Sequence, residues 1–216
     1  MSADNQTELA TLLLEHLADY SFALAGSCAI REYGLTDRPT RDIDIFGAST
    51  LSPELFKQAL STLIPHVEQA GWKVTFLREI QSTFAQAKFE RNETVLEADF
   101  GVDWRSTNPT TRDVGPVISI EDAVASKVSA LYSRRLSRDY LDVYSIRKNG
   151  PFSDDKLLEL TQERDPGFEL EMFANQLELV QVVSNWRIGD YDLSDHLIED
   201  VRSSSLTWAQ DIRASL

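Results

Sequence analysis

The stretch Asp42-Ile43-Asp44-Ile45-Phe46 alternates polar and apolar side chains with a period of two. Successive side chains of a β-strand project to opposite faces, so this alternation predicts a strand with one carboxylate face and one apolar face. Asp42 and Asp44 then project together, while Ile43 and Ile45 enter the opposite layer. The stretch therefore predicts a sheet that is buried on one side and carries two neighbouring carboxylates on the other.

Two adjacent carboxylates repel each other unless a cation lies between them. Their oxygens suit Mg²⁺, which commonly takes one or two carboxylates and completes its shell with water and substrate phosphates. The alternative is a solvent-facing pair on an edge strand. The upstream Gly26-Ser27, at the end of an apolar stretch, favours the metal site. A glycine lets the backbone approach a ligand closely, and Ser27 offers a hydroxyl and an N–H to a phosphate.

A third carboxylate, if two metal ions are held, is expected from a neighbouring strand. The strand-like segment 94–100 carries Glu97 and Asp99 on one face, and Asp103 lies just beyond it. Asp99 is the first choice because Ala98 and Phe100 flank it, as they would flank a buried position. Glu97 and Asp103 stay open as alternatives for the same role.

Hydrophobic periodicity and turn residues divide the chain into two regions. We expect an α+β fold, in which a mixed β-sheet layer flanked by helices (residues 1–115) precedes an α-helical C-terminal region (residues 116–216) that completes the active site. A leucine stripe predicts the first helix, and Gly150-Pro151 predicts the end of another. The predicted helices are 8–18, 28–33, 52–71, 119–135 and 137–149, with mostly helix from 153 onward broken at Pro166-Gly167 and Gly189. The predicted strands are 21–25, 42–46, 72–79, 84–90 and 94–100, the last two joined as a hairpin, and 105–116 is predicted to be a loop.

Composition narrows the classes of function. The net charge of −14 argues against broad, nonspecific binding to nucleic acid or to an anionic membrane. No apolar run approaches the ~20 residues of a membrane span, and the N-terminus lacks the features of a signal peptide. With Cys28 as the one cysteine, no internal disulfide forms and a cytoplasmic location is expected. Scattered histidines make a zinc site implausible.

One basic segment stands out in this acidic chain. Residues 127–148 carry six basic and two acidic side chains, which predicts either a solvated helix face or a local anion site. Lys127 lies among small and apolar residues, where a lysine either extends its ammonium to solvent or meets a phosphate as a point charge. Asp139 and Asp142 are three apart and share a helix face. Asp142 is open to three roles: functional carboxylate, helix N-terminal charge, or ion-pair partner of Arg138 or Lys127.

Four segments taken together resemble the AbiEii/AbiGii-type nucleotidyltransferase toxin family, a branch of the DNA polymerase β-like nucleotidyltransferase superfamily. They are Phe22-Ala-Leu-Ala-Gly-Ser27, Arg38-Pro-Thr-Arg-Asp-Ile-Asp-Ile-Phe46, Ile118-Ser-Ile-Glu-Asp-Ala-Val-Ala-Ser-Lys127 and Arg138-Asp-Tyr-Leu-Asp142. Their order follows the family's order over about residues 20–148. The family often has Gly-Gly where this chain has Gly-Ser, which is also found in the superfamily.

The resemblance implies a nucleotidyltransferase-like fold and a metal-dependent transfer of a nucleoside monophosphate from an NTP to an acceptor, with release of pyrophosphate. It implies Mg²⁺ or Mn²⁺ as cofactor, an RNA acceptor such as the 3′ end of tRNA, and a cognate antitoxin. The catalytic residues would be Asp42, Asp44, Lys127 and Asp142, with Asp42, Asp44 and Asp99 as metal ligands. The nucleotide contacts would be Gly26, Ser27, Arg41 and Lys127, and the acceptor contacts Arg38, Arg134 and Arg138.

Two alternatives belong to other functional classes. A small-molecule nucleotidyltransferase, acting for example on an antibiotic hydroxyl, uses the same Gly-Ser and Asp-x-Asp elements and suits an acidic cleft for a cationic substrate. A non-catalytic regulatory module would retain the fold without turnover. The presence of the complete residue set argues against the second, and the acceptor profile separates the first from an RNA-modifying enzyme.

Overall fold

The computed structural model describes residues 3–40, 42–188 and 191–216, so the predicted phosphate contact Arg41 and the predicted helix break Gly189 lie outside the described residues. The chain divides into two compact units, one of Met1–Glu32 with Arg38–Ile120 and one of Tyr33–Asp37 with Glu121–Leu216. The first holds a mixed sheet with helices and the second is mainly helical. This architecture confirms the predicted α+β class.

The first unit contains three α-helices and seven strands. Its helices are α1 (Ala3–Leu17), α2 (Gly26–Glu32) and α3 (Pro53–Gln69). Its strands are β1 (Ala23–Leu24), β2 (Asp42–Ala48), β3 (Lys73–Phe76), β4 (Ala85–Arg91), β5 (Thr94–Asp103), β6 (Thr110–Arg112) and β7 (Gly115–Val117).

The seven strands form one sheet in the order β3-β4-β5-β2-β1-β7-β6. The β2–β5 and β1–β7 pairs are parallel, and the other neighbours are antiparallel. The predicted hairpin of β4 and β5 is confirmed, with Arg91 opposite Thr94. Because β2 is central, its polar face has a strand on each side from which functional groups can be supplied.

The two faces of β2 differ as its sequence predicts. Ile43 and Ile45 are fully buried, whereas Asp42 and Asp44 are half-buried on the other face. The apolar face lies in the core of this unit with the leucine-rich α1 and with α3, whose Phe56 ring is 5.9 Å from that of Phe22. Burial of this apolar face drives the sheet together and leaves the carboxylate face accessible.

The prediction of a loop over 105–116 is wrong, because β6 and β7 form an antiparallel hairpin there. Each strand has only three residues, and all three side chains of β6 are exposed. A strand this short and this polar has no apolar alternation to reveal it. Gly115 fits at φ +118° against Leu14 of α1, where a Cβ would lie 3.1 Å from the Leu14 Cβ.

Among its described residues the second unit contains five α-helices, one of which, Ser137–Asn149, has the bounds that the sequence predicts. Arg147 links three of them: it donates two hydrogen bonds to Asp154 (2.7 and 2.6 Å) and lies over Trp208, 4.6 Å from the ring centroid. The helices are α4 (Ile120–Arg134), α5 (Ser137–Asn149), α6 (Asp154–Arg164), α7 (Leu170–Glu178) and α8 (Asp195–Ser215). A two-stranded hairpin, β8 (Arg187–Ile188) with β9 (Tyr191–Asp192), interrupts the region that was predicted to be mostly helical. Among the described residues, no helix is long and apolar enough to cross a membrane.

Candidate active site

Parallel pairing of β2 with β5 brings the candidate carboxylates together. Asp44 lies beside Asp99 and Asp42 lies beside Glu97, all on the half-buried face. Asp103 pairs with Ala48 at the far end of β2, and its Oδ1 accepts a 2.8 Å hydrogen bond from the backbone N–H of Trp104. The register therefore places both Asp99 and Glu97 next to the Asp-x-Asp pair and leaves Asp103 away from it, so Glu97 stays an alternative to Asp99.

Asp99 is a weakened acid, and its neighbours explain why. Burial raises the pKa of Asp99, the hydrogen bond from Gln86 lowers it, the negative charge of Asp42 raises it, and Arg78 lowers it. The Gln86 Nε2 donates to Asp99 Oδ1 at 2.9 Å from the adjacent strand β4. Because the charge of Asp42 acts on Asp99, a cation at this face would relieve the repulsion between the two carboxylates.

Gly26 is required on two counts. Its φ of +59° is a left-handed conformation that side chains disfavour, and a Cβ at this position would overlap the Asp44 carboxylate, lying 2.5 Å from its Cγ. The preceding residue fixes this approach, because the N–H of Ala25 donates a 2.8 Å hydrogen bond to the carbonyl of Asp44. The Gly-Ser element and the Asp-x-Asp element, separated in sequence, are therefore in contact.

Ser27 and Arg38 contact each other beside this glycine. Ser27 is buried in the first turn of α2, and its Oγ accepts a 2.6 Å hydrogen bond from Arg38 Nη2. Arg38 also donates to the carbonyl of Pro39 at 3.1 Å. The structure thus places one predicted acceptor contact, Arg38, on the predicted phosphate contact Ser27.

Polar residues that the sequence analysis did not identify hold the segment before β2. Gln6 of α1 is buried and donates to the carbonyl of Thr40 at 3.1 Å, and Arg31 donates to the Gln6 Oε1 at 2.8 Å. The thiol of Cys28 lies 3.5 Å from the carbonyl oxygen of Asp42. Gln6 and Gln86 carry no motif, and only the packing of α1 and the register of β4 reveal their roles.

In the second unit, Lys127 and Asp142 form a buried ion pair between α4 and α5. The distance from Lys127 Nζ to Asp142 Oδ2 is 2.9 Å, and the side chains are 8% and 1% exposed. Of the alternatives left open for the contacts of Asp142, the structure shows the pairing with Lys127. A buried pair of this kind costs desolvation energy, which makes it a candidate for a functional role.

The neighbouring basic residues separate into two kinds. Arg134 donates to both carboxylate oxygens of the fully buried Asp139, with Nη2 to Oδ1 at 2.8 Å. Asp139 also accepts the N–H of Leu136 at 3.0 Å and so caps the first turn of α5. Arg138 is exposed. Arg134 therefore has a structural task, whereas Arg138 presents its charge to solvent.

A divalent cation fits this site only if the protein and the substrate both supply its ligands. Within residues 3–40, 42–188 and 191–216, no three side chains of His, Cys, Asp or Glu converge to hold a metal ion by themselves. Mg²⁺ commonly takes only one or two protein carboxylates and completes its shell with phosphates and water. Carboxylate oxygens on adjacent strands, with the Asp44 carboxylate against the backbone of Gly26, match that donor set.

A match to a family model shows which protein family the chain belongs to. The model described as "Nucleotidyl transferase AbiEii toxin, Type IV TA system" matches residues 9–187. The chain belongs to the AbiEii nucleotidyl transferase toxin family. The family named from the sequence motifs is thereby confirmed, and the chain is a nucleotidyltransferase, which decides against a non-catalytic module.

Solved structures share the fold of this AbiEii family member at low sequence identity. JHP933 from Helicobacter pylori matches with a TM-score of 0.59 and 15% identity over 100% of this chain and 94% of that one. The nucleotidyltransferase toxin MenT4 from Mycobacterium tuberculosis matches with a TM-score of 0.59 and 13% identity over 95% of this chain and 82% of that one. A search of curated proteins found no match. The fold is thus nucleotidyltransferase-like, as the resemblance implied.

Family membership also implies a protein partner and a nucleotide substrate. A toxin of a toxin–antitoxin system has a cognate antitoxin, and nucleotidyl transfer consumes an NTP. The AbiEii family member is therefore a toxin nucleotidyltransferase.

Proposed function

We propose that this AbiEii toxin transfers a nucleoside monophosphate from an NTP to an RNA acceptor, such as the 3′ end of tRNA, in a reaction that depends on Mg²⁺ or Mn²⁺. The observation that carries the proposal is the row of Asp44 beside Asp99, with the backbone of Gly26 against the Asp44 carboxylate. This row joins carboxylate oxygens, which a divalent ion prefers as ligands, to the backbone segment that we assign to the triphosphate.

Asp42, Asp44 and Asp99 are the residues that would hold a divalent ion, which would take one or two of them and complete its shell with phosphates and water. The bound ion would neutralise phosphate charge and favour ionisation of the acceptor hydroxyl. The protein's own contribution is positioning, which is the main requirement of such transfers. Gln86 orients Asp99, and the main-chain bond from Ala25 to Asp44 holds the glycine against the carboxylate.

We assign Gly26, Ser27, Arg41 and Lys127 to the triphosphate. Gly26 would offer its backbone, which lies directly against the Asp44 carboxylate, and Ser27 would supply its hydroxyl, which Arg38 already orients. Lys127 would provide a positive charge, and its ion pair with Asp142 holds the ammonium in place. These assignments rest on the contacts within each unit and on the family's motifs.

An RNA acceptor agrees with the toxin family, but the net charge of −14 confines RNA binding to local cations. Arg138 and Lys148 on α5 are exposed, and Lys148 donates a 3.3 Å hydrogen bond to the Tyr144 hydroxyl, so Arg138 is the first candidate for a phosphate contact. Arg38 would contribute to the acceptor only in addition to holding Ser27.

The test is incubation of purified protein with Mg²⁺, total tRNA and each labelled NTP in turn. Asp42→Asn and Asp44→Asn are expected to fold like wild type and to lose at least about 100-fold in transfer. Asp103→Asn is the matched control, because this carboxyl lies on the same sheet but away from the Asp44–Asp99 row. The proposal is supported if label enters RNA with wild type and with Asp103→Asn, but not with Asp42→Asn or Asp44→Asn. Transfer to a small-molecule hydroxyl with none to RNA would refute the RNA acceptor, and full activity of a folded Asp44→Asn variant would refute the metal role.

A further inference from the structure

Two phenylalanine rings lie next to Gly101 on the carboxylate face of the sheet. Gly101 of β5 pairs with Phe46 of β2, and a Cβ at Gly101 would lie 3.3 Å from Phe46 Cδ1 and 3.9 Å from Phe84 Cδ2. Phe84 directly precedes β4 and is 39% exposed. The absent side chain at the buried Gly101 thus lets the Phe46 ring pack on the backbone of β5 beside Phe84, whose ring is open to solvent.

This aromatic floor (Phe46, Gly101 and Phe84) lies on the same face as the carboxylates. Phe46 follows Asp44 by two residues and Gly101 follows Asp99 by two residues, so the period of two keeps them on one side. At a rise of about 3.3 Å per residue, the floor begins about 7 Å along the strands from the Asp44–Asp99 row. A planar group on the floor would therefore be within one nucleotide of the reacting centre.

The position of the floor favours the acceptor over the NTP. Gly26 and Ser27 follow β1, which neighbours β2 on one side, whereas the floor extends from β2 across β5 to β4 on the other. If the triphosphate occupies the β1 side, the β5 and β4 side is left for the molecule that is modified.

Further exposed groups suit a nucleotide at this place. Leu77 is 44% exposed, and its N–H donates a 2.9 Å hydrogen bond to the carbonyl of Gln86, which places it beside the floor. Arg78 follows it, is exposed, and makes no hydrogen bond or ion pair with any residue that the structure describes. Aromatic rings next to an available cation are the combination that binds single-stranded nucleic acid by stacking and phosphate contact.

We propose that the aromatic floor stacks the unpaired terminal base of the RNA acceptor, with Arg78 on a nearby backbone phosphate. The inference rests on the proposed function and deepens it, because it selects a single-stranded 3′ end over a duplex end. Stacking would bring the terminal ribose hydroxyl towards Asp99 and would not depend strongly on base identity, since every base has an aromatic face.

The test measures RNA binding without NTP, so that it does not depend on transfer. The probe is a short fluorescent single-stranded RNA, with either a normal or an abasic 3′-terminal nucleotide, followed by anisotropy. We expect Phe84→Ala to weaken binding of the normal RNA about 5- to 150-fold and Phe84→Tyr to bind like wild type. The abasic RNA should bind wild type as weakly as Phe84→Ala, and Phe84→Ala should not distinguish the two RNAs.

Controls separate this inference from simpler explanations. Val95→Ala removes another exposed apolar side chain of β5 and should leave binding unchanged. Thermal melting checks that Phe84→Ala is folded, and Arg78→Gln should weaken binding of both RNAs equally and reduce its salt dependence. Equal binding of normal and abasic RNA by wild type, or loss of NTP affinity in Phe84→Ala as large as the loss of RNA affinity, would overturn the inference. Base-dependent RNA binding without any label transfer to RNA would instead contradict the proposed function and leave the stacking surface standing.

Discussion

No Cβ fits between Gly26 and the carboxylate of Asp44. This contact joins the end of β1 to the middle of β2, and Asp44 in turn lies beside Asp99 of β5. Three segments distant in sequence therefore meet at one point of the sheet. Small displacements here should affect transfer more than stability, because positioning is the main requirement of the reaction.

Gly26→Ala is expected to reduce transfer at least about 100-fold, because the new methyl group displaces the Asp44 carboxylate. It also pays about 1–2 kcal/mol for a left-handed alanine. Gly34→Ala is the matched control: Gly34 has φ +70°, but no atom lies within 4 Å of a Cβ built there. Denaturant unfolding and label transfer measure the two effects. Equal activity of the two variants would show that the close approach to Asp44 does not matter for transfer.

Asp99→Asn is expected to stabilise the protein at pH 7 while abolishing transfer. The pKa of Asp99 is raised, chiefly by burial, so the folded state holds this proton more tightly than the unfolded chain does. Stability therefore falls as the pH rises from the unfolded pKa near 3.9 through the folded pKa, and the penalty stays above that window. Because the group is half-buried, we expect a gain below about 1 kcal/mol, or about 3 °C in Tm. Melting curves at pH 3 and pH 7 check the sign, since the gain should vanish at pH 3.

Gln86→Met is expected to move the pH dependence of transfer without unfolding the sheet. Gln86 donates to the ionised Asp99 and lowers its pKa, so its loss raises that pKa further. If Asp99 acts as a carboxylate, the acidic limb of the pH–rate profile shifts to higher pH. Gln58→Met, at an exposed position of α3, is the control. An unshifted profile in a folded Gln86→Met variant would argue against a role for ionised Asp99.

Local patterns predicted much of this fold because they act over short distances. The alternation in β2 specified both its faces, and Gly150 marked the end of α5. The segment 94–100 was expected to neighbour β2, with Asp99 as the first choice, but nothing in that segment specifies its register with β2. That register alone selects Asp99 over Asp103 as the neighbour of Asp44. The short strands β6 and β8 were missed for a different reason, namely that strands of three and two residues are too short to show an alternation.

Arg134 and Arg138, both predicted acceptor contacts, should respond differently to removal. Arg134→Ala leaves the fully buried Asp139 without its guanidinium partner and weakens the start of α5, so we expect a loss of about 3 kcal/mol. The side chain of Arg138 is exposed, so Arg138→Ala should change the free energy of unfolding by less than about 0.5 kcal/mol. If Arg138 contacts RNA, its removal raises the KM for tRNA and lowers the salt dependence of binding. An unchanged KM would remove it from the acceptor surface.

The buried pair of Lys127 and Asp142 allows a test that separates structure from catalysis. Lys127→Ala alone should destabilise by about 3–5 kcal/mol, because Asp142 would remain charged and buried without its partner. Replacing both residues, as Lys127→Met with Asp142→Leu, removes both buried charges and should recover most of that stability. If Lys127 neutralises phosphate charge, the stable double variant still fails to transfer nucleotide and its KM for the NTP rises. A stable double variant with wild-type transfer would reduce the pair to a structural ion pair. Unfolding measurements on the single and double variants, followed by label transfer on those that fold, distinguish these outcomes.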